Sequence, residues 1–169
     1  MKLWKLVGPA LVFISLAAVA GCSPDATTTD ENSNLVGTWR FERYSDAPEG
    51  MAPVYAFGVP PIGFMIFTAD GQFSVSLMRN PPATDESSSD PDPDACIPVW
   101  YCSYFGPYTV DDAGTSWMID VQGGNIPGYL GTEQSRSFVI RDDTLIISEQ
   151  YVAEGRNVHA ERVLVRQQP

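Results

Sequence analysis

From Gln72 to Leu77 polar and apolar residues alternate strictly, with Phe73, Val75 and Leu77 set against Gln72, Ser74 and Ser76. That is the pattern of a strand with one buried face. The run before it, Ile62 to Phe67, is apolar on both faces, and between the two lies Asp70-Gly71. These residues supply the positive φ angles of a tight turn, so the whole stretch predicts a β-hairpin. Leu35 to Tyr44 predicts another strand, with Trp39 and Phe41 on one face and Arg40 and Glu42 on the other. Ser45 to Pro60 is rich in Gly and Pro, with Val54 to Phe57 read as a short edge strand.

Further along, Tyr104–Val110 and Thr115–Val121 flank the turn Asp111-Asp112-Ala113-Gly114, and Gly123 to Gly128 reads as a loop. Glu133–Ile140 and Thr144–Tyr151 flank Arg141-Asp142-Asp143 as a further hairpin, and Val158 to Arg166 closes the chain as the last strand. Beyond the leader no segment has a helical period over a helix-sized window. Many short strands separated by turns predict an all-β, antiparallel barrel or sandwich. In a barrel, first and last strands meet, which brings Arg166 against the indole of Trp39 for a cation–π contact or leaves it solvated near the C-terminus.

Composition adds an address. The chain has 169 residues, and residues 1–21 read as a removable signal: Lys2 and Lys5, an apolar run from Leu6 to Ala20, then small residues. Val19-Ala20-Gly21-Cys22 resembles the lipobox of bacterial lipoproteins, which implies cleavage before Cys22 and lipidation of that residue, palmitate included. Ser23 after the cysteine implies, by the bacterial sorting rule, the outer membrane, facing the periplasm. Several acyl chains on one residue make stable anchoring. Residues 22–34 read as a flexible tether able to reach about 40 Å when stretched, and residues 35–169 as one domain.

Charge then narrows the partners. Without Lys2 and Lys5 the formal net charge moves from −11 to −13, and no lysine remains. Such a surface repels phosphate backbones and anionic head groups, which argues against nucleic acid and against flat adsorption on a membrane and leaves cationic partners or neutral ligands open. Residues 80–94 form a proline-rich acidic loop.

Gly37-Thr38-Trp39, Phe67-Thr68-Ala69-Asp70-Gly71, Tyr104-Phe105-Gly106-Pro107-Tyr108, Gly131-Thr132-Glu133-Gln134-Ser135-Arg136 and Leu164-Val165-Arg166 together resemble the bacterial lipocalin-like domain family. The resemblance runs from Leu35 to Arg166. It implies an up-and-down lipocalin-like β-barrel of about eight strands around a small cavity, with functions from hydrophobic ligand binding to small-molecule cyclases or isomerases. Ser116-Trp117-Met118 departs from the family pattern by lacking a histidine on that strand.

Candidate site residues follow from the strand faces. Arg136 shares a face with Gln134, Phe138 and Ile140, so an inward Phe138 brings the guanidinium inward, where it needs an internal acid or a ligand carboxylate. Tyr104 and Tyr108, with Gly106 between them, and Trp117 on a neighbouring strand line an apolar cavity with polar tips or fill the core. Phe64, on the doubly apolar arm, joins them as a ligand contact. The expected partner is a small apolar molecule or lipid, with no cofactor; a protein partner for the acidic surface is the alternative.

Cys96 and Cys102 remain as a pair in an oxidising compartment, either bridged or reduced. Extended, Cys96 to Cys102 spans about 20 Å, whereas a bridge needs Cα atoms about 5–6 Å apart, so bridging requires a turn at Pro98. A loop so held is the candidate cover for the outer face of Ile62–Phe67. No metal is expected: Asp90, Asp92 and Asp94 open a calcium-loop spacing, but Ala95 and Tyr101 replace its glycine and bidentate acid. No catalytic residue is selected; His159 reads as an outward or rim residue, and Asp120 and Glu133 carry no distinguishing pattern.

Overall fold

In the computed structural model, residues 34–82 and 94–168 are described. The strands are β1 (Gly37–Pro48), β2 (Ile62–Phe67), β3 (Gln72–Met78), β4 (Tyr101–Val110), β5 (Ser116–Asp120), β6 (Gly123–Gly124), β7 (Glu133–Arg141), β8 (Thr144–Ala153) and β9 (Arg156–Arg166), with one 3₁₀ turn at Pro127–Tyr129. From β1 to β5 and from β7 to β9 each strand pairs antiparallel with its sequence neighbour, β5 pairs with β7, and β9 returns to β1, so the sheet closes. β5 and β6 both pair with β4 and act as one stave interrupted at 121–122, which makes an eight-stave barrel. Closure removes every free edge.

The up-and-down order gives the barrel two unlike ends. One carries the short turns 68–71, 111–115 and 142–143 together with residues 34–36 and the C-terminus. The other carries the longer connection 49–61, the described segments 79–82 and 94–100, residues 125–132 and the tight turn 154–155.

At the short-turn end the interior is filled by aromatic and aliphatic side chains. Trp39, Phe67, Phe73, Trp117, Leu145 and Leu164 are buried, and the Phe67 ring meets Phe73, Tyr108 and Trp117 at 4.9, 5.1 and 5.1 Å. Trp39 Nε1 donates to the Leu35 carbonyl at 2.8 Å, so residue 35 is folded over the indole as a plug. The Arg166 guanidinium lies 4.1 Å from the Trp39 ring and donates to the carbonyls of Val36 and Asn34. The expected first-to-last strand contact is therefore present, with the guanidinium also tying down the plug.

Three local expectations change. Of Asp70 and Gly71 only the glycine takes a positive φ, 81°; Gly71 N–H donates to Thr68 O at 3.1 Å and Thr68 N–H to Gln72 O at 2.9 Å. A loop of this length, built on a right-handed turn, needs one left-handed residue at its end rather than two. Val54–Phe57 is not a strand: Val54 makes an isolated bridge to Asp46, and Phe57 turns inward to pack 4.8 Å from the Tyr44 ring. Its neighbours Pro53, Pro60 and Pro61 cannot donate to a ladder. Ile62 and Phe64 on the outer face of β2 are 42% and 43% exposed, so the described residues leave that face uncovered.

One irregularity decides what enters the interior. Opposite β9 the register shifts between Phe41 and Arg43, so Glu42 is an extra, bulged residue. Simple alternation from Trp39 and Phe41 would send Tyr44 outward. The bulge resets the phase, and Tyr44 lies opposite Arg162 inside the barrel.

Candidate ligand cavity

Toward the long-loop end the barrel is hollow. A cavity of ≈ 140 Å³ has apolar walls from Phe41, Met65, Val75, Leu77, Ile126 and Ile147. Trp117, whose ring also packs against Phe67 and Phe138, closes it on the side of the filled core. Tyr44, Tyr104, Tyr129, Arg136, Glu149 and Arg162 make its polar side, and Asp94 with the Cys96–Cys102 bridge stands at the loop side.

The polar side is built from alternate positions on adjacent strands. Leu145 and Ile147 point into the barrel, and the same alternation brings Glu149 inward; on β9 Val158 and Ala160 lead in the same way to Arg162. Arg136 Nε meets Glu149 Oε1 at 2.6 Å, with the two side chains 15% and 32% exposed. Its other nitrogens donate to Ser135 O at 2.7 Å, Tyr129 Oη at 3.2 Å and Gln134 Oε1 at 3.4 Å. Arg162 Nη1 meets Asp46 Oδ1 at 2.9 Å and Ser45 O at 2.7 Å, and its guanidinium lies 3.4 Å from the Tyr44 ring centre. A desolvated guanidinium is tolerated here because each has a carboxylate, carbonyl acceptors and an aromatic face.

These contacts set the protonation of the site. Burial pushes the Tyr44 phenol up to about 12, against the lowering effect of Arg162. Burial also raises Tyr104, again outweighing the cation beside it, Arg136. For Arg136 burial works against the charge, but Tyr104, Glu149 and Tyr129 more than offset it and its pKa is raised. Arg136 therefore stays a cation, and the Tyr44 and Tyr104 phenols stay neutral, donating hydrogen bonds and not acting as bases near neutral pH.

The loop side is fixed by covalent and hydrogen bonds. Cys96 and Cys102 form a disulfide with Cα atoms 5.2 Å apart, and the chain turns as required, Tyr101 N–H donating to Pro98 O at 3.1 Å. Asn125 Nδ2 donates to Ile97 O at 3.0 Å and Tyr101 O at 2.6 Å, and its Oδ1 accepts from Ser103 N–H at 2.7 Å. The bridged loop is thus clamped to the segment after β6.

Of the candidates read from sequence, Tyr104, Trp117 and Arg136 line the cavity together. Gln134 stands behind them, supporting Arg136 and receiving no place in the lining. Tyr108 is buried, but its hydroxyl donates to Thr68 O at 3.1 Å, in the short-turn end. Phe64 is a correction: in β2 it alternates with the inward Met65 and lies on the outer surface. Gly106 between the tyrosines has a packing reason, since a Cβ there would lie 1.9 Å from Asp120 O. His159 is exposed, as its alternation indicates. Asp90, Asp92 and Cys22 lie outside the described residues. The acid that meets Arg136 is Glu149, and Glu149, Arg162, Tyr44 and Tyr129 are site residues beyond the initial candidates.

A closed eight-stave antiparallel barrel, filled at one end and hollow toward the other, defines a lipocalin-type binding barrel. The model of the lipocalin-like domain family matches residues 36–167, and the chain belongs to that family. A comparison with curated proteins gives no match. Ligand binding, in general terms, is what membership and architecture together suggest.

Proposed function

We propose that the barrel binds a small, mostly apolar molecule in the cavity, and does so as a lipid-anchored protein of the bacterial cell envelope. The observation that carries the reading is the ≈ 140 Å³ space itself, with apolar walls and a polar side concentrated at Arg136, Arg162 and the tyrosines. An apolar protein cavity of about 150 Å³ accommodates a benzene-sized guest, so the ligand is of single-ring size, and a long acyl chain would extend beyond the barrel. Native mass spectrometry after mild extraction is expected to show a small molecule co-purifying with the protein. A barrel that retains no small molecule, and whose unfolding temperature no single-ring compound raises at millimolar concentration, would contradict the reading.

The anchoring half rests on Val19-Ala20-Gly21-Cys22, Ser23 and the polar stretch to Asn34, which favour a tethered domain at the outer membrane facing the periplasm. Mass spectrometry of the membrane-extracted protein is expected to show a chain that begins at Cys22 and carries acyl chains on that residue. A mature N-terminus elsewhere, or an unmodified Cys22, would refute lipidation there.

A further inference from the structure

Charge is unevenly distributed around the barrel wall. β1, β7 and β9 each carry several charged residues, but β2, β3 and β4, which adjoin one another, contain no Asp, Glu, Lys or Arg. Their outer face is instead apolar and open. Ile62 and Phe64 on β2 and Tyr101 and Phe105 on β4 are 37–49% exposed, and Met78 on β3 joins Ile62 to Tyr101 across the two ladders. Between Phe64 and Phe105 the outward residues of β3 are Ser74 and Ser76, so small side chains leave a hollow between two aromatic ridges. The Phe105 ring lies over Gly123, where a Cβ would come within 2.5 Å of it, and this close seat keeps an exposed ring in one place. Single exposed apolar side chains are ordinary on a protein surface; a continuous patch without charge is the mark of an interface. Because the closed barrel offers no free strand edge, contact with this patch is made through side chains.

The chain's own charge selects the occupant. Two copies with a formal net charge of −11 repel one another, at the filled end through Asp70, Asp111, Asp112, Asp142 and Asp143 and at the hollow end through Glu49 and Glu154. The wall of β2–β4 is where a second copy approaches without that cost. A cationic partner is drawn to the acids and away from this wall. A bilayer surface is met by apolar side chains set among Lys and Arg, whereas here the flanking Arg40 is already paired with Glu42. We propose that the outer face of β2–β4 docks a second copy of this chain in a two-fold dimer. In such a contact the same patch serves both partners, and ridges beside a hollow suit a surface that must fit itself. The face is smaller than the roughly 800 Å² per partner of a standard interface, so the dimer is weak and reversible. It goes beyond the cavity reading and does not depend on it.

Photo-crosslinking of the full chain in intact cells tests this, with a benzophenone amino acid in place of Met78. Irradiation is expected to give an adduct of twice the protein's mass whose peptides all come from this chain. The same amino acid in place of Val139, on the outer face of β7, is expected to give about tenfold less. Phe105→Glu sets like charges face to face and is expected to lower the Met78 adduct about tenfold while the protein accumulates to its usual level. Should Phe105→Glu fail to fold, Phe64→Ser reads the same contact, with a loss of about threefold. The absence of an adduct overturns the proposal, as does an adduct with lipid or with a different protein. A dimer that forms equally from Val139, or that ignores the substitution read, overturns it as well.

Discussion

Trp39 and Tyr44 lie on the same strand and both point into the barrel, yet they meet different interiors. Trp39 is fully buried in the core, its N–H is satisfied by the Leu35 carbonyl, and Arg166 covers the ring. Around Tyr44 the neighbours are Arg162, Phe57 and open cavity. The difference follows from how each end is finished. Short turns and a folded-in terminal segment let side chains meet across the axis and fill it, as small barrels usually do. Long connections leave the other end unfilled, and there the inward positions are occupied by arginines, acids and tyrosines that satisfy one another around a void. Stability is expected to reside at the filled end and ligand selectivity at the hollow one.

The largest effect that sharpens this contrast is at the filled end. Trp39→Ala removes a fully buried indole, its hydrogen bond and the Arg166 stack, and is expected to cost about 3–5 kcal/mol in urea unfolding. A loss below about 1 kcal/mol would show that end to be loosely packed, and the comparison would fail. Reducing the Cys96–Cys102 bridge is expected to cost about 2 kcal/mol and to speed amide exchange in residues 94–102 while Leu145 and Leu164 stay protected. Equal acceleration at both ends would break the distinction.

Alkaline pH is a gentler probe of the hollow end. The folded Tyr44 phenol titrates at about 12 against an ordinary 10.0, so between these values the folded state holds the proton more tightly than the unfolded chain. Stability is therefore fully present below pH 10.0, falls as pH rises toward about 12, and Tyr44→Phe removes part of that fall. Urea midpoints measured across this range, in native protein and variant, check the slope. The smallest effect is expected on the outer surface, where Phe64→Ser changes stability by no more than about 0.5 kcal/mol and leaves the binding of single-ring compounds as it was.

Strict alternation carries most of the fold. Phe73, Val75 and Leu77 on β3, or Phe138 and Ile140 on β7, declare their face without further information, and turn residues mark where each stave ends. The same alternation carries Arg136 inward and, continued from Leu145 and Ile147 or from Val158 and Ala160, reaches Glu149 and Arg162. Those two are legible once the charged residues are given the same weight as the apolar ones. Tyr44 is not legible, because the bulge at Glu42 shifts the phase without any Gly or Pro to announce it. Phe64 misleads for the opposite reason: an apolar residue on a doubly apolar strand carries no sign of which face is wet. Whether a barrel is filled or hollow depends on the summed volume of side chains from all staves, which no single segment contains.

The central claim is that the hollow end receives a ligand and the filled end does not. It is tested most directly by titrating ¹⁵N-labelled protein with acetophenone and mapping amide shifts onto the barrel. The account predicts shifts at Leu77, Tyr104, Arg136, Ile147 and Arg162, with Phe73, Leu145 and Leu164 unmoved. Shifts confined to the outer surface around Phe64, or spread evenly through both ends, would contradict it.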